Sequence, residues 1–363
     1  MSTIASIGIG IPKYKLTQKD AKDFIRMISH RSSQHIERLL PVFDHAAIQD
    51  RQLVVPVDWL KEDHSFEERN QLYMEKAIIY IKQAIEDCLN HSFFLEQSVH
   101  TENIDCIIFV SSTGIATPTI DAFIMNELPF TENVTRIPIW GLGCAGGASG
   151  IARASEYLRA HPDENVLLLN IEFSSLSFQK NDKRKSNFIG SALFGDGVSC
   201  VLMIGEESEL RINLKQTAPK VINSSSKIKK DELDVMGWDI RNSGFHVIFG
   251  KSIPKLVESF WGKHLREFLH KHHLNINDFP FLIAHPGGKK VLEAMEKVLN
   301  VSKELFNFSY KVLQNHGNMS SPTVIYVLKE VMESAPEENT KSIVSALGPG
   351  FSSELVLLEW KNQ

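Results

Sequence analysis

Two stretches of this 363-residue chain run through the same order of pieces, and that repetition narrows the folds open to it. The β-rich run 104–114 ends in Ser111-Ser112-Thr113-Gly114, and a second strand-like run ends in His285-Pro286-Gly287-Gly288. A small-residue corner at Cys144 opens a long helical pattern, and so does the turn at Asn318. Phe173-Ser174-Ser175 closes an apolar run, and Phe351-Ser352-Ser353 stands at the matching place further on. Thr113 and Cys144 are 31 residues apart, His285 and Asn318 33. The repeated order predicts a duplicated α/β half whose apolar strands are covered by helices on both faces. At the polar stretch 206–235 we divide the chain into 1–208, which carries Cys144, and 209–363, which carries His285 and Asn318. Two pseudo-equivalent halves bring those three residues to one central site.

The corner itself reads RIPIWGLGCAGGASGIARASEYLRA (136–160). Small neighbours leave the Cys144 sulfur approachable. Its place before a helix N-terminus, with free N–H groups and the macrodipole, favours an anion there. A thiolate is the nucleophilic form of cysteine, and such a setting lowers its pKa. The predicted element is therefore a cysteine nucleophile on a strand–turn–helix corner. Two other readings fit the same residues. Gly141, Gly143 and Gly146 match the dinucleotide fingerprint, which also expects an acidic residue about 20 positions on. Glu156 lies inside the helix and Glu172 comes too late. Alternatively, Cys144 is an inert buried thiol, a common state for free cysteine.

Composition excludes several classes. The net charge of −5 argues against a general nucleic-acid binder. Four cysteines (Cys88, Cys106, Cys144, Cys200), none spaced as CxxC, argue against a disulfide framework or a zinc site. The N-terminus lacks the apolar core of a signal peptide, and no apolar run approaches a membrane span, so a cytoplasmic protein is expected. Helical spacing predicts helices from Gln18 to Leu40 and from about Ser65 to Leu89. A short helix begun by Pro118 follows, with further helices near 254–270, 289–300 and 321–333. Ser321 and Pro322 read as N-cap and first residue of the last one. Residues 179–187 read as a charged surface loop and Gly195-Asp196-Gly197 as a turn.

GLGCAGG, ALFGDG, AHPGGK, HGNMSS and ALGPGF resemble, in order and spacing, the signature segments of the type III polyketide synthases. These form the chalcone-synthase-like branch of the thiolase fold, and the resemblance covers nearly the whole chain. It is nearest to the bacterial members that make alkylpyrones or alkylresorcinols from fatty acyl-CoA. The resemblance implies an α/β thiolase-like fold with two pseudo-duplicated halves in a layered αβαβα arrangement. It also implies a homodimer, acyl-CoA and malonyl-CoA as substrates, and no metal or redox cofactor. The family's catalytic triad carries over to Cys144, His285 and Asn318. Cysteine supplies the thioester-forming nucleophile, and a nearby imidazole stabilises the thiolate. Donors from His285 and Asn318 stabilise the enolate left when malonyl-CoA loses carbon dioxide. The other histidines singled out, His272, His273 and His316, read as packing or surface residues.

By the same carry-over, Phe194 guards the passage between the CoA tunnel and the cavity, or else is a core phenylalanine. Gly348, Pro349, Gly350 and Phe351 match the loop that shapes the cavity, or an ordinary tight turn. Ser112, Thr113, Thr117, Glu172, Ser174 and Ser177 match positions lining the initiation and cyclisation cavity. Arg51, Lys289 and Lys290 are candidates to meet CoA phosphates, with a solvated basic face as the alternative. Among rivals, a thiolase needs a second cysteine in its C-terminal half, which this chain lacks. A ketoacyl-ACP synthase III also uses Cys-His-Asn, but its histidine segment continues differently from Pro286-Gly287-Gly288. A non-catalytic acyl-binding relative is the alternative from another class.

Overall fold

Continuous apolar runs and well-marked helix caps set the elements of the fold. The computed structural model describes residues 1–28 and 37–362. The first half contributes β1 (Ser2–Gly10), β2 (Tyr14–Thr17), α1 (Gln18–Ile28), β3 (Asp50–Leu53), α2 (Phe66–Leu89) and β4 (Cys106–Ser111). It continues with α3 (Ile120–Glu127), β5 (Thr135–Trp140), α4 (Gly146–Ala160), β6 (Asn165–Phe173), α5 (Lys185–Leu193) and β7 (Asp196–Ile204). The second half adds β8 (Ala218–Ile228), β9 (Met236–Arg241), β10 (Gly244–Phe249), α6 (Gly262–Lys271) and β11 (Ile283–Ala284). It ends with α7 (Lys289–Leu299), α8 (Asn307–His316), α9 (Ser321–Glu333), β12 (Lys341–Gly348) and β13 (Ser352–Lys361).

The main sheet runs β11-β12-β13-β8-β1-β7-β6-β4-β5. Its pairing displays the duplication. From the centre outward, β1 is antiparallel to β7, β7 antiparallel to β6, and β6 parallel to β4. Across the seam, β8 is antiparallel to β13, β13 antiparallel to β12, and β12 parallel to β11. The halves join through β1 and β8 over Ser2↔Val221 and Thr3↔Lys220. The first half carries the additional β5 on its outer edge.

Helices α4 and α9 touch each other and strands of both halves, so they form the buried middle layer. Such contact needs small residues on α4. A Cβ on Gly147 would stand 2.4 Å from the Ser321 carbonyl oxygen and 2.7 Å from Val324 Cγ1, distances real side chains do not reach. The GGASG run is thus a packing device for this layer as well as the entry to a corner. Outside the sheet, α2 packs on β1 and β7. A capping box starts it, with Ser65 Oγ accepting from the Glu68 N–H and the Glu68 carboxylate accepting from the Ser65 N–H. On the other half, Trp261, Leu265, Phe268, Leu292 and Met295 bury against Ile343, Leu347, Leu355 and Leu357 of β12 and β13. The result is the expected α/β layering, helices outside and between the two halves.

Several local expectations change. The first helix is described from Gln18 to Ile28; residues 29–36 of the predicted 18–40 lie outside the described residues. Helix α3 starts after Thr119 rather than at Pro118. The polar stretch 206–235 contains β8, whose polar residues sit on a strand paired with β13. The loop predicted at 179–187 becomes helical from Lys185. Asp196 and Gly197 begin β7 instead of forming a turn, because the buried Asp196 carboxylate accepts from the Ser175 and Val54 N–H groups at 2.8 Å. Helix α9 begins at Ser321, one residue early, with Ser320 at its N-cap (φ 59°, ψ −128°) and Pro322 in the first turn. Among the described residues no helix is long and apolar enough to cross a membrane.

Candidate active site

Strand β5 delivers Cys144 into a single helical turn, Gly143–Ala145, that runs straight into α4. The loop after β12 closes over this corner. A Cβ on Gly348 would meet the Leu142 carbonyl oxygen at 2.5 Å and Ala145 Cβ at 2.6 Å, so only glycine allows the approach. His285 follows β11, its N–H donating to the Ser345 carbonyl at 2.7 Å. Asn318 sits between α8 and α9, held by backbone bonds on both sides: its N–H donates to Leu193 O at 2.9 Å and its carbonyl accepts from the Gly195 N–H at 3.0 Å. These bonds form a bridge between Asn318 and Phe194 that ties the two halves at the site.

Cys144, His285 and Asn318 line one cavity of about 660 Å³. Asn318 Oδ1 accepts from Cys144 Sγ at 3.8 Å and from the Ser320 N–H at 2.8 Å, while Nδ2 donates to Gly287 O at 3.2 Å. His285 is 3% exposed, and neither ring nitrogen has a hydrogen-bond partner among the described residues. Burying unpaired polar atoms is costly, and these two line the cavity with Cys144, within reach of what enters it. Burial also pulls the imidazole down to about 3, which leaves it neutral at physiological pH. For Cys144 the sequence predicts a lowered pKa, and the structure reverses the direction. Burial pushes the thiol up to about 11, outweighing hydrogen bonds from Ser320 and Asn318 that act the other way. At rest the cavity therefore holds a protonated thiol and a neutral imidazole.

The remaining expectations divide by position. Ser112, Ser174, Phe194 and Pro349 line the cavity with the three reactive residues. Ser177 lines a second chamber of about 530 Å³, together with Leu16, Phe24, Ile25, Leu60 and Phe178. Ser174, Phe194 and Val247 belong to both walls, so the chambers adjoin across Phe194. Thr113 and Glu172 stand behind the cavity wall. Thr113 Oγ1 accepts from the Phe173 N–H at 2.8 Å, and the fully buried Glu172 accepts from Ser112 Oγ at 2.7 Å, the Ser112 N–H at 3.0 Å and Ser321 Oγ at 3.1 Å.

Thr117 is on the surface, away from both chambers. Of the loop, Gly348 supports the corner from outside the cavity, Gly350 faces Ile228, and Phe351 is core, its ring 6.1 Å from that of Phe260. Arg51 is 1% exposed and lines the second chamber, where its guanidinium is spent on Ala192 O, Ser191 O and Gln18 Oε1 at 2.6–3.1 Å. Lys289 and Lys290 open α7 at the surface, Lys289 paired with Glu293 at 3.4 Å. Sequence reasoning missed the wall built by Met236, Trp238, Val247, Ile248 and Phe249 of the β9–β10 hairpin. Its one available signal was a pair of short strand-like runs.

Burial raises the Glu172 carboxyl from 4.5 to about 7 against the bonds that favour its ionised form. Folding thus holds a proton that the unfolded chain has released, and that stabilisation is lost as pH rises from 4.5 through about 7. Between about pH 5 and pH 8 the native protein is expected to lose roughly 2–3 kcal/mol relative to Glu172→Gln. Parallel urea-unfolding profiles across that range would contradict it.

Comparison with known proteins gives a consistent result. The model of the N-terminal domain of chalcone and stilbene synthases matches residues 1–208, and that of their C-terminal domain matches residues 220–360. A Bacillus subtilis protein named "Putative chalcone synthase" is 46% identical over 362 residues, 99% of each chain. The Mycobacterium tuberculosis protein named "Alpha-pyrone synthesis polyketide synthase-like Pks18" is 27% identical, over 99% of this chain and 91% of that one. The crystal structure of 1,3,6,8-tetrahydroxynaphthalene synthase from Streptomyces coelicolor, a bacterial type III polyketide synthase, matches with a TM-score of 0.89 at 27% identity, covering 99% of this chain and all of the other.

Proposed function

The chain belongs to the chalcone and stilbene synthase family, the type III polyketide synthases, and from that membership we propose that it extends a long-chain fatty acyl-CoA to an alkylpyrone or alkylresorcinol. As an enzyme of this family it is an acyltransferase that condenses malonyl-CoA with loss of carbon dioxide. The residues in hand support the following steps. Cys144 passes its proton to His285 and takes the acyl group from the starter thioester, releasing CoA. Malonyl-CoA loses carbon dioxide beside His285 and Asn318, whose N–H donors stabilise the enolate oxygen. The enolate carbon attacks the acyl-Cys144 carbonyl and the sulfur leaves. Two or three rounds and ring closure follow.

The observation that carries the long-chain reading is the second chamber. Leu16, Phe24, Ile25, Leu60 and Phe178 line it. One side is apolar, as an alkyl tail requires, and Phe194 and Val247 stand between it and the sulfur. The alpha-pyrone relative supports the choice of product class. Turnover of hexanoyl- and palmitoyl-CoA, with products read by mass spectrometry, tests it. Val247→Phe should fill the passage and lower kcat/KM for palmitoyl-CoA by about 10-fold or more, leaving hexanoyl-CoA within about 2-fold, as expected for a few buried methylenes. A native enzyme that refuses palmitoyl-CoA, or a variant with an unchanged chain-length profile, would sink the reading. The same proposal includes a homodimer, supported by the bare outer edge of β5, where Trp140 is half exposed. Sedimentation at the 41.0 kDa of one chain would remove that part.

A further inference from the structure

The hairpin β9–β10 turns at Asn242 and Ser243, outside its paired register, and Ser243 is exposed at the tip. Ser243 Oγ lies 2.7 Å from His246 Nε2, and His246 Nδ1 lies 3.2 Å from Asp182 Oδ2. The imidazole is 7% exposed. Asp182 comes from the other half of the chain, ahead of α5. Its carboxylate is fixed by Arg184, whose Nη2 and Nε donate to Oδ2 at 2.7 and 2.9 Å and whose backbone N–H donates to Oδ1 at 2.9 Å. Burial raises the Asp182 carboxyl, but the bonds from Arg184 and His246 outweigh it and hold the group at about 2.

An ionised carboxylate only accepts, so the His246 Nδ1 atom must carry the proton. In the neutral imidazole Nε2 is then left as an acceptor, and across the 2.7 Å contact the Ser243 hydroxyl donates into the ring. That polarity is the one by which an imidazole, oriented by a carboxylate, removes a proton from a serine nucleophile. The central amides of the turn, Asn242 and Ser243, take no part in the ladder and can donate to a developing oxyanion. A cleft of about 200 Å³ borders the turn at Gly244 and Phe245, walled by Phe66, Arg69 and Asn70. His246 lines neither of the two chambers around Cys144.

We propose that Ser243, His246 and Asp182 form a second nucleophilic site, independent of Cys144, that hydrolyses small activated esters. Ser243 Oγ bonds to the ester carbonyl carbon while its proton passes to His246 Nε2. The tetrahedral adduct expels the alkoxide or phenolate, which takes that proton and leaves an acyl-Ser243. Water then attacks, giving its proton to His246, and the carboxylic acid departs as serine is restored. Asp182 is a positioning residue that fixes the tautomer.

The test uses the full-length protein carrying Cys144→Ala, so that the thiol of the main cavity contributes nothing. It is incubated with a fluorophosphonate, which forms a serine O–P bond and loses fluoride. One phosphonyl group is expected on the Ser243 peptide. Labelling should vanish in Ser243→Ala and slow by about 10²-fold or more in His246→Gln, the usual loss when a general base is removed. Asp182→Asn should slow it too, while the neutral-side chain swap keeps the size of the group. With p-nitrophenyl acetate the Cys144→Ala protein should release more than one equivalent of acetate per chain. Ser243→Ala in the otherwise native chain changes only an exposed turn and should keep polyketide synthesis intact, which separates this site from the main one. No adduct at Ser243, or an unchanged rate in His246→Gln, overturns the proposal. An adduct without ester turnover overturns its hydrolytic step.

Discussion

Cys144→Ala is expected to carry no acyl group after incubation with a fatty acyl-CoA and to make no polyketide, whereas the native chain gains the mass of one acyl group on the Cys144 peptide. The other thiols cannot stand in. Cys88, Cys106 and Cys200 are buried in the core and line neither chamber. Burial raises the Cys106 thiol to about 12 and the Cys200 thiol well above its ordinary value. Removing the nucleophile of a covalent mechanism costs about 10⁴-fold or more in turnover. The substitution itself deletes one sulfur and its weak 3.8 Å contact to Asn318, too little to unfold the layer around it. An equal acyl adduct in Cys144→Ala, or native turnover, would take the sulfur out of the mechanism.

The second large effect belongs to His285 and Asn318. Decarboxylation moves charge from a carboxylate to the thioester oxygen, and that oxygen needs donors already in place. His285 has two unpartnered ring nitrogens in the cavity wall, and one N–H of the Asn318 amide remains after the other is spent on Gly287. His285→Gln and Asn318→Ala should each slow release of carbon dioxide from malonyl-CoA by about 10²–10³-fold. Acyl loading offers a contrast: given time, the Cys144 of Asn318→Ala should still accept its starter. Iodoacetamide separates the two roles of His285. Burial holds the native thiol at about 11, so alkylation at neutral pH needs a base that takes its proton, and His285→Gln should be alkylated more slowly than the native chain. Native decarboxylation in either variant would remove that residue from enolate stabilisation.

How much of this was legible before the fold was known depended on what kind of signal a residue carried. Backbone approach forces Gly147 beside Cys144 and Gly317 beside Asn318, and a φ of 154° favours glycine at 288 beside His285, so the local sequence marks all three plainly. The same holds for Phe194, anchored between Leu193 and Gly195, whose backbone groups both bond Asn318. Arg51 misled because a lone arginine between polar segments reads as surface, while its carbonyl partners at 191 and 192 lie some 140 positions away. Phe351 misled for the opposite reason: its neighbours in the loop do reach the corner, but its own side chain turns into the core beside Phe260. Thr117 shows that membership of a motif does not decide which way a short loop faces. The β9–β10 wall was invisible because its residues carry only strand alternation, which states a period and not a destination. The thiol pKa was missed because a helix end acts within a turn, whereas desolvation depends on the whole packed layer.

One half of the molecule contributes the sulfur and the other contributes both of its polar companions, with Asn318 and Phe194 bonded across the divide. The two halves therefore depend on each other for the site. A gene carrying either half alone would encode an inert fragment, and substitutions that shift one half must be matched in its twin to keep the sulfur aligned. Inheritance of the two is locked together by chemistry rather than by the peptide that links them.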